Sequence, residues 1–270
     1  MKRRFRQRDG VAGAGRERWE ALKEKRKRGI FLLPSLLTTG NIFCGLLSMI
    51  YTLDGRYTES AVAILVAMVM DVLDGKVARL TKTTTQFGVE FDSLADVVSF
   101  GVAPGLLLYS WALGSLGRMG WLAAFLFVIC GALRLARFNV ITAVTDRRFF
   151  VGLPIPAAAG CVASTVLLLG EREWSRWEPV ALTVATYFLA MLMVSTFRYW
   201  SFKELDFARR RPFRILIFVV LGVLIVASHP QLFLFLSFGL YTLSGPARRL
   251  FMRKSEGPLR HGPDSVEHQG

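Results

Sequence analysis

Long apolar blocks separated by short polar stretches fill the chain from about residue 32 to residue 248. They are too continuous for half-buried helices of a water-soluble domain, and most approach the ~20 residues a helix needs to cross a bilayer. The pattern predicts eight spans, at 32–53, 60–80, 88–112, 119–140, 152–170, 179–199, 213–229 and 231–248. Only Ser228-His229-Pro230-Gln231 separates the last two. It reads as a tight turn, because proline cannot continue a helix interior without losing a hydrogen bond. The alternative is one interrupted hairpin that does not fully cross. No internal repeat is visible. The expected fold is all-α, a polytopic integral membrane bundle.

Charge sets the orientation. The chain carries 34 Lys and Arg against 20 Asp and Glu, a net +14. With the N-terminus in the cytoplasm and the spans alternating, 30 of the basic residues fall on the cytoplasmic side; only Arg56, Arg118, Arg172 and Arg176 fall outside. The positive-inside rule then places both termini in the cytoplasm. It also accounts for the basic charge without a nucleic-acid partner. Residues 1–31 are expected to form a basic cytoplasmic segment, 32–250 the transmembrane domain and 251–270 a polar, disordered tail. In "RERWEALKEKRKR", Trp19 and Leu22 sit one turn apart among basic residues, as in a helix lying on anionic lipid. The N-terminus lacks the short charged region, apolar core and cleavage site of a secretory leader. Trp111, Trp121, Trp174, Trp177 and Trp200 fall near span ends, the expected aromatic belt. Cys44, Cys130 and Cys161 each stand alone in apolar surroundings and read as small reduced core residues.

Against this background four acids stand out in "DVLDGKVARLTKTTTQFGVEFDSLAD", residues 71–96. Asp71, Asp74 and Ala78 are spaced i, i+3, i+7 on the second span; Gly88, Asp92 and Asp96 are spaced i, i+4, i+8 on the third. On helices each set forms one stripe. The polar "TKTTTQ" between them lets the chain turn back, so the stripes can face each other. Gly75, Ala78 and Gly88 on the same stripes let a bulky ligand or a backbone come close. Four carboxylates in such a place repel one another. Divalent cations relieve this, and hard carboxylate oxygens suit Mg²⁺, Mn²⁺ or Ca²⁺; no Cys/His cluster points to zinc. Two such ions can clamp a phosphoryl centre. The plainer reading is an ion network of these acids with Lys76, Arg79 and Lys82. Ionisable residues within a membrane are costly and usually functional, which favours the metal site.

The stretch reads D-x2-D-G-x2-A-R-x8-G-x3-D-x3-D, as Asp71, Asp74, Gly75, Ala78, Arg79, Gly88, Asp92 and Asp96. It resembles the signature of the CDP-alcohol phosphotransferases with no departure. The resemblance implies an integral membrane enzyme that moves a phosphatidyl or similar group from a CDP-linked donor to an alcohol and releases CMP. It implies that Asp71, Asp74 and Asp92 ligate metal, and that Asp96 ligates the second ion and acts as general base. Gly75, Ala78 and Gly88 would line the cytidine site, and Arg79 would hold its nucleotide end. The cofactor would be Mg²⁺ or Mn²⁺, two ions per site. A pyrophosphate donor needs its charge neutralised as CMP leaves, which agrees with these roles.

"LPSLLTTGNIFCG" (33–45), "DSLADVVSFGVAPG" (92–105), "GALRLARFNV" (131–140) and "FVGLPIPAAAG" (150–160) together resemble the membrane-embedded phosphatidylserine synthases of that family. With the signature, the resemblance covers roughly residues 30–160. It implies CDP-diacylglycerol and L-serine as substrates, a bacterial or archaeal cell membrane, a site facing the cytoplasm and a homodimer. Arg134 and Arg137, i, i+3 near the end of the fourth span, with Asn139 close by, suit the carboxylate of an amino-acid acceptor. Equally, both arginines can snorkel as positive-inside charges. Thr38 and Asn41, i, i+3 on the first span, can bind a donor phosphate or bridge helices. His229, His261 and His268, in an outer turn or the tail, are expected to take no catalytic part. The alternative functions are transfer to glycerol 3-phosphate or inositol phosphate and, from another class, cation transport along the acids. A transporter would place acids at mid-membrane on several helices, whereas these cluster toward one side.

Overall fold

The computed structural model describes residues 34–81, 85–142, 150–170, 174–175, 177–199 and 228–255. They form helices α1 (Pro34–Leu53), α2 (Tyr57–Thr81), α3 (Gln86–Asp96), α4 (Ala103–Trp111), α5 (Arg118–Thr142), α6 (Ile155–Leu169), α7 (Glu178–Val194) and α8 (Pro230–Ser255). A π-helical stretch, Val97–Val102, joins α3 to α4, so that Gln86–Trp111 is one continuous rod of 26 residues. The described residues are otherwise helical or in turns, apart from one antiparallel pairing of two-residue strands, β1 (Phe150–Val151) with β2 (Arg198–Tyr199). The sequence pattern does not predict this pairing.

Helix α1 shows why the chain needs lipid. It buries Thr38, Asn41, Gly45, Ser48 and Thr52 and exposes Leu36, Phe43, Leu46, Ile50 and Leu53. Polar groups point inward and apolar groups outward, the reverse of a helix on a soluble domain. The buried hydroxyls are paired: the Ser60 hydroxyl on α2 lies 2.8 Å from both Ser48 and Thr52, and Thr52 donates to the Ser48 carbonyl. Helix α2 repeats the arrangement, with Val62, Val66, Val69 and Leu73 exposed along one stripe and Ala61, Ile64 and Ala67 buried. Among the described residues, Pro34–Leu53, Gln86–Trp111 and Arg118–Val140 are long and apolar enough to cross a membrane by length and composition. Helices α6 and α7 are apolar but shorter, at 15 and 17 residues.

The interior is packed from small residues. Helix α6, "IPAAAGCVAS", lies against α2 and α8, and its Ala158, Ala159 and Ala163 are fully buried. At Gly160 a side chain would run into the Phe238 ring of α8, and at Gly245 into the Tyr199 ring. Tyr199, fully buried, donates to the Thr242 carbonyl at 3.2 Å, and Cys161 meets the Thr242 hydroxyl at 3.0 Å. These contacts fix the register of α8. The strand pairing is held at its base by Gly152, whose positive φ of 83° suits glycine. Its amide donates to the Phe197 carbonyl, and the Leu153 amide donates to the Leu192 carbonyl.

The tryptophans divide into two groups. Trp121 and Trp177 are exposed, as an aromatic belt requires. Trp111 and Trp174 instead stack edge to face at 4.6 Å, each indole donating to a backbone carbonyl, of Gly170 and Trp111 respectively. The expected turn at 228–231 ends in helix: α8 starts at Pro230, where proline's missing N–H costs nothing. Helix α8 continues to Ser255, beyond the expected domain edge at 250. Most of the expected span at 213–229, the basic segment 1–31, Trp200, Lys82 and residues 256–270 with His261 and His268 lie outside the described residues.

Candidate active site

Three of the four acids converge. Asp71 on α2 and Asp92 and Asp96 on α3 each place a carboxylate oxygen within 4.8 Å of the others. The i, i+4 spacing on α3 puts Asp92 and Asp96 on the stripe that faces α2. Asp74 adjoins Asp71 and Asp92 but is turned toward α1, where the Thr38 hydroxyl donates to its Oδ2. Thr38 also lies 3.1 Å from the Pro34 carbonyl; its one proton is better spent on the charged acceptor. Thr38 therefore orients an acid of the cluster.

The cluster is polar but poorly satisfied. Oδ1 of Asp92, Oδ1 of Asp96, both amide atoms of Asn41 and Nε of Arg134 are buried without a hydrogen-bond partner. Asn41, fully buried on α1, lies beside Asp96. Arg134, buried at 7% exposure, acts electrostatically on Asp96. Buried polar atoms are nearly always paired, so orphans concentrated at one place mark a site that receives something. Metal–oxygen distances of about 2.0–2.6 Å let one divalent ion bridge oxygens about 4–5 Å apart. The three carboxylates thus fit a hard cation.

The signature's small residues lie on the same two helices as these acids. A Cβ on Gly75 would meet nothing within 4 Å, so the position opens on free space; Ala78, one turn on, is half-buried. Gly88 has a second use. Its amide donates to Thr85 Oγ1, the cap of α3, and a Cβ there would press on that oxygen at 3.2 Å. Arg79 is exposed and its Nε donates to the Gly75 carbonyl at 2.8 Å, so the guanidinium lies over the same open face.

The two arginines of α5 part company. Arg134 is buried and faces Asp96. Arg137 is exposed, and its Nη1 donates to the Val194 carbonyl at the end of α7. Asn139 donates to Ser93 Oγ at 3.0 Å, which ties the end of α5 to α3 between Asp92 and Asp96. Sequence reading singled out neither Ser93 nor Ser99. Ser99 lies in the π-helical stretch just after Asp96 and donates to the Asn41 carbonyl at 2.9 Å, while Gly45 packs directly on it. Small polar residues on otherwise apolar helices were the available signal. His229 is exposed at the start of α8, where its carbonyl accepts from Phe233.

A profile of the CDP-alcohol phosphatidyltransferase family matches residues 31–243. A CDP-diacylglycerol–serine O-phosphatidyltransferase of Helicobacter pylori is 40% identical over 83% of this chain and 93% of its own length. One from Bacillus subtilis is 37% identical over 64% of this chain and 92% of its own. An archaetidylserine synthase of Methanothermobacter thermautotrophicus is 37% identical over 66% and 73%. The profile covers the acid cluster, both arginines of α5 and most of α8 together, and the chain belongs to the CDP-alcohol phosphatidyltransferase family.

Proposed function

We propose that this chain is a membrane enzyme that transfers the phosphatidyl group of CDP-diacylglycerol to L-serine, giving phosphatidylserine and CMP. The observation that carries the reading is the convergence of Asp71, Asp92 and Asp96, with orphaned carboxylate oxygens, beside the buried cation Arg134. Relatives named for transfer to serine, matched over most of their length, support the acceptor.

Asp71, Asp74, Asp92 and Asp96 would hold the divalent ions, two Mg²⁺ or Mn²⁺ in this reading. When bound, such ions supply charge neutralisation for the pyrophosphate and its leaving group. Gly75, Ala78 and Gly88 leave room for the cytidine, and Arg79 borders that space. Thr38 and Asn41 act from α1, Thr38 by orienting Asp74 and Asn41 with its free amide toward the donor's phosphates. Arg134 holds the carboxylate of serine; a guanidinium in a water-poor site makes a strong charge-assisted bond to it. Asp96 accepts the proton of the serine hydroxyl. The oxygen then bonds to the phosphorus bearing the diacylglycerol, the bond to CMP breaks, and CMP leaves. Arg137 and Asn139 brace the end of α5 for this work.

In the same reading the bundle has eight spans with both termini in the cytoplasm and the site on that side. The basic-residue distribution supports it. Among the described residues, helices lie at the expected positions other than 213–229, and three of them, Pro34–Leu53, Gln86–Trp111 and Arg118–Val140, are long and apolar enough to cross. Cysteine-scanning accessibility in intact cells checks the orientation, and cross-linking in membranes checks the homodimer.

Membranes containing the protein, given CDP-diacylglycerol and labelled L-serine, glycerol 3-phosphate or inositol phosphate, should label lipid from serine. Label entering lipid only from another acceptor overturns serine and leaves the family chemistry in place. Ion flux without CMP formation would instead favour cation transport.

A further inference from the structure

Helix α1 carries no acid of the cluster, yet it bonds to both helices that do. Near its start the Thr38 hydroxyl donates to Asp74 of α2. Two turns on, α1 meets the rod Gln86–Trp111. There the Ser99 hydroxyl donates to the Asn41 carbonyl at 2.9 Å, and Gly45 leaves the space for it, since a Cβ at that position would run into the Ser99 side chain. Ser99 lies one turn past Asp96 on the rod. Thr38, Asn41 and Ser99 are all buried. Between the two contacts α1 rises ~10 Å over seven residues, and it carries there the Asn41 amide, both of whose polar atoms are unpartnered. The carboxylates of α2 and of the rod repel one another and push the two helices apart. A segment of fixed length bonded to both opposes that push, and partners that orient ligands govern how well a metal site binds.

We propose that Ser99 is a positioning residue of the acid cluster: its bond to the Asn41 carbonyl, together with the bond of Thr38 to Asp74, makes α1 a splint that sets the spacing between the acids of α2 and those of the rod, and with it the affinity for divalent ions. This rests on the reading of the acids as a divalent-cation site and is independent of the acceptor. It gives a use to two features outside the signature, the buried hydroxyl at 99 and the glycine at 45.

The test is Mn²⁺ binding by the purified full-length protein without substrates, followed by the electron paramagnetic resonance signal of the free ion. Ser99→Ala removes the hydroxyl oxygen and adds nothing, so the variant should fold. Its Kd for Mn²⁺ should rise roughly three- to tenfold, the weight of one neutral hydrogen bond. Thr38→Val should weaken binding similarly, and Thr38→Ser, which keeps the hydroxyl, should restore it. The double variant Ser99→Ala, Thr38→Val should bind no more weakly than the weaker single variant, because releasing either end of the splint frees the spacing; independent losses would multiply. Ser48→Ala serves as the control. It removes a buried hydroxyl from the same face of α1, one paired with Ser60, and should lower the unfolding temperature while leaving the Kd for Mn²⁺ at the parent value. An unchanged Kd in Ser99→Ala overturns the proposal. So does an equal loss in Ser48→Ala, which would reduce the effect to general loosening of α1, and so does a multiplicative loss in the double variant. If the parent protein binds no Mn²⁺, the metal-site reading fails and the splint with it, an outcome visible before any variant is compared.

Discussion

Asp71 and Asp96 are the same residue type within one cluster, and the reading assigns them different work. Replacing either by asparagine keeps shape and removes charge. At Asp71 the loss should fall on metal affinity, so activity should return in part as Mg²⁺ is raised. At Asp96 the proton acceptor is gone, and a general base contributes typically ~10²–10⁴-fold. Asp96→Asn should stay inactive at saturating metal while still binding CDP-diacylglycerol; metal titrations of the two variants side by side decide it. Gly75→Val separates folding from binding. No atom lies within 4 Å of a Cβ there, so the variant should insert and melt like the parent while donor binding is lost; normal binding would remove the cytidine space from Gly75. For Arg134→Ala the serine KM should rise roughly ten- to a hundredfold, the cost of a charged hydrogen bond of about 1.5–3 kcal/mol. Arg137→Ala, which loses only a bond to the Val194 carbonyl, should leave serine KM within about twofold and lower stability by ~1 kcal/mol. From spacing alone the two arginines were equivalent, i and i+3 on one helix. What separates them is the end of α7, a contact between residues 137 and 194 that no local pattern carries.

At the scale of elements, the decisive feature is the π-helical stretch Val97–Val102 directly after Asp96. Such bulges insert an extra residue in the turn and recur at functional sites. Here the stretch is pinned from α1, by Ser99 donating to the Asn41 carbonyl and by Gly45 lying against the Ser99 backbone. A Cβ at position 45 would stand 2.8 Å from the Ser99 Cα, so backbone must move. Gly45→Val should therefore lower kcat at least about tenfold and destabilise the fold by ~1–3 kcal/mol, although residue 45 is no part of the signature. Activity and unfolding measurements on the purified variant check both; parental values for both would mean that the stretch does not hold Asp96. Helix positions were largely legible, because apolar runs of span length have few other uses: 32–53 became 34–53, and 119–140 became 118–142. The π-helical stretch was not legible. "VVSFGV" is as apolar as its flanks, and packing against α1 and α5 rather than local propensity selects its geometry. The strand pairing of Phe150–Val151 with Arg198–Tyr199 was hidden for the same reason, since its partners lie far apart in the chain.

For the whole molecule, the exposed valines and leucines of α1 and α2 and the buried hydroxyls between them describe a protein whose outer solvent is lipid. Among the described residues its buried ionisable side chains, Asp74, Asp96 and Arg134, belong to the signature acids and the arginine facing them, and ionisable residues are too costly in apolar helices to be incidental. The proposed chemistry is coupled: serine would attack, CMP would leave, and the acid cluster would work only with a divalent ion. The direct measurement is CMP release by purified protein from CDP-diacylglycerol, with and without L-serine, before and after chelation and on adding back Mg²⁺ or Mn²⁺. CMP release should depend on serine, match phosphatidylserine formed mole for mole, stop with chelator and return with the ion. Full activity in chelated, metal-free protein, or CMP release indifferent to serine, would contradict it.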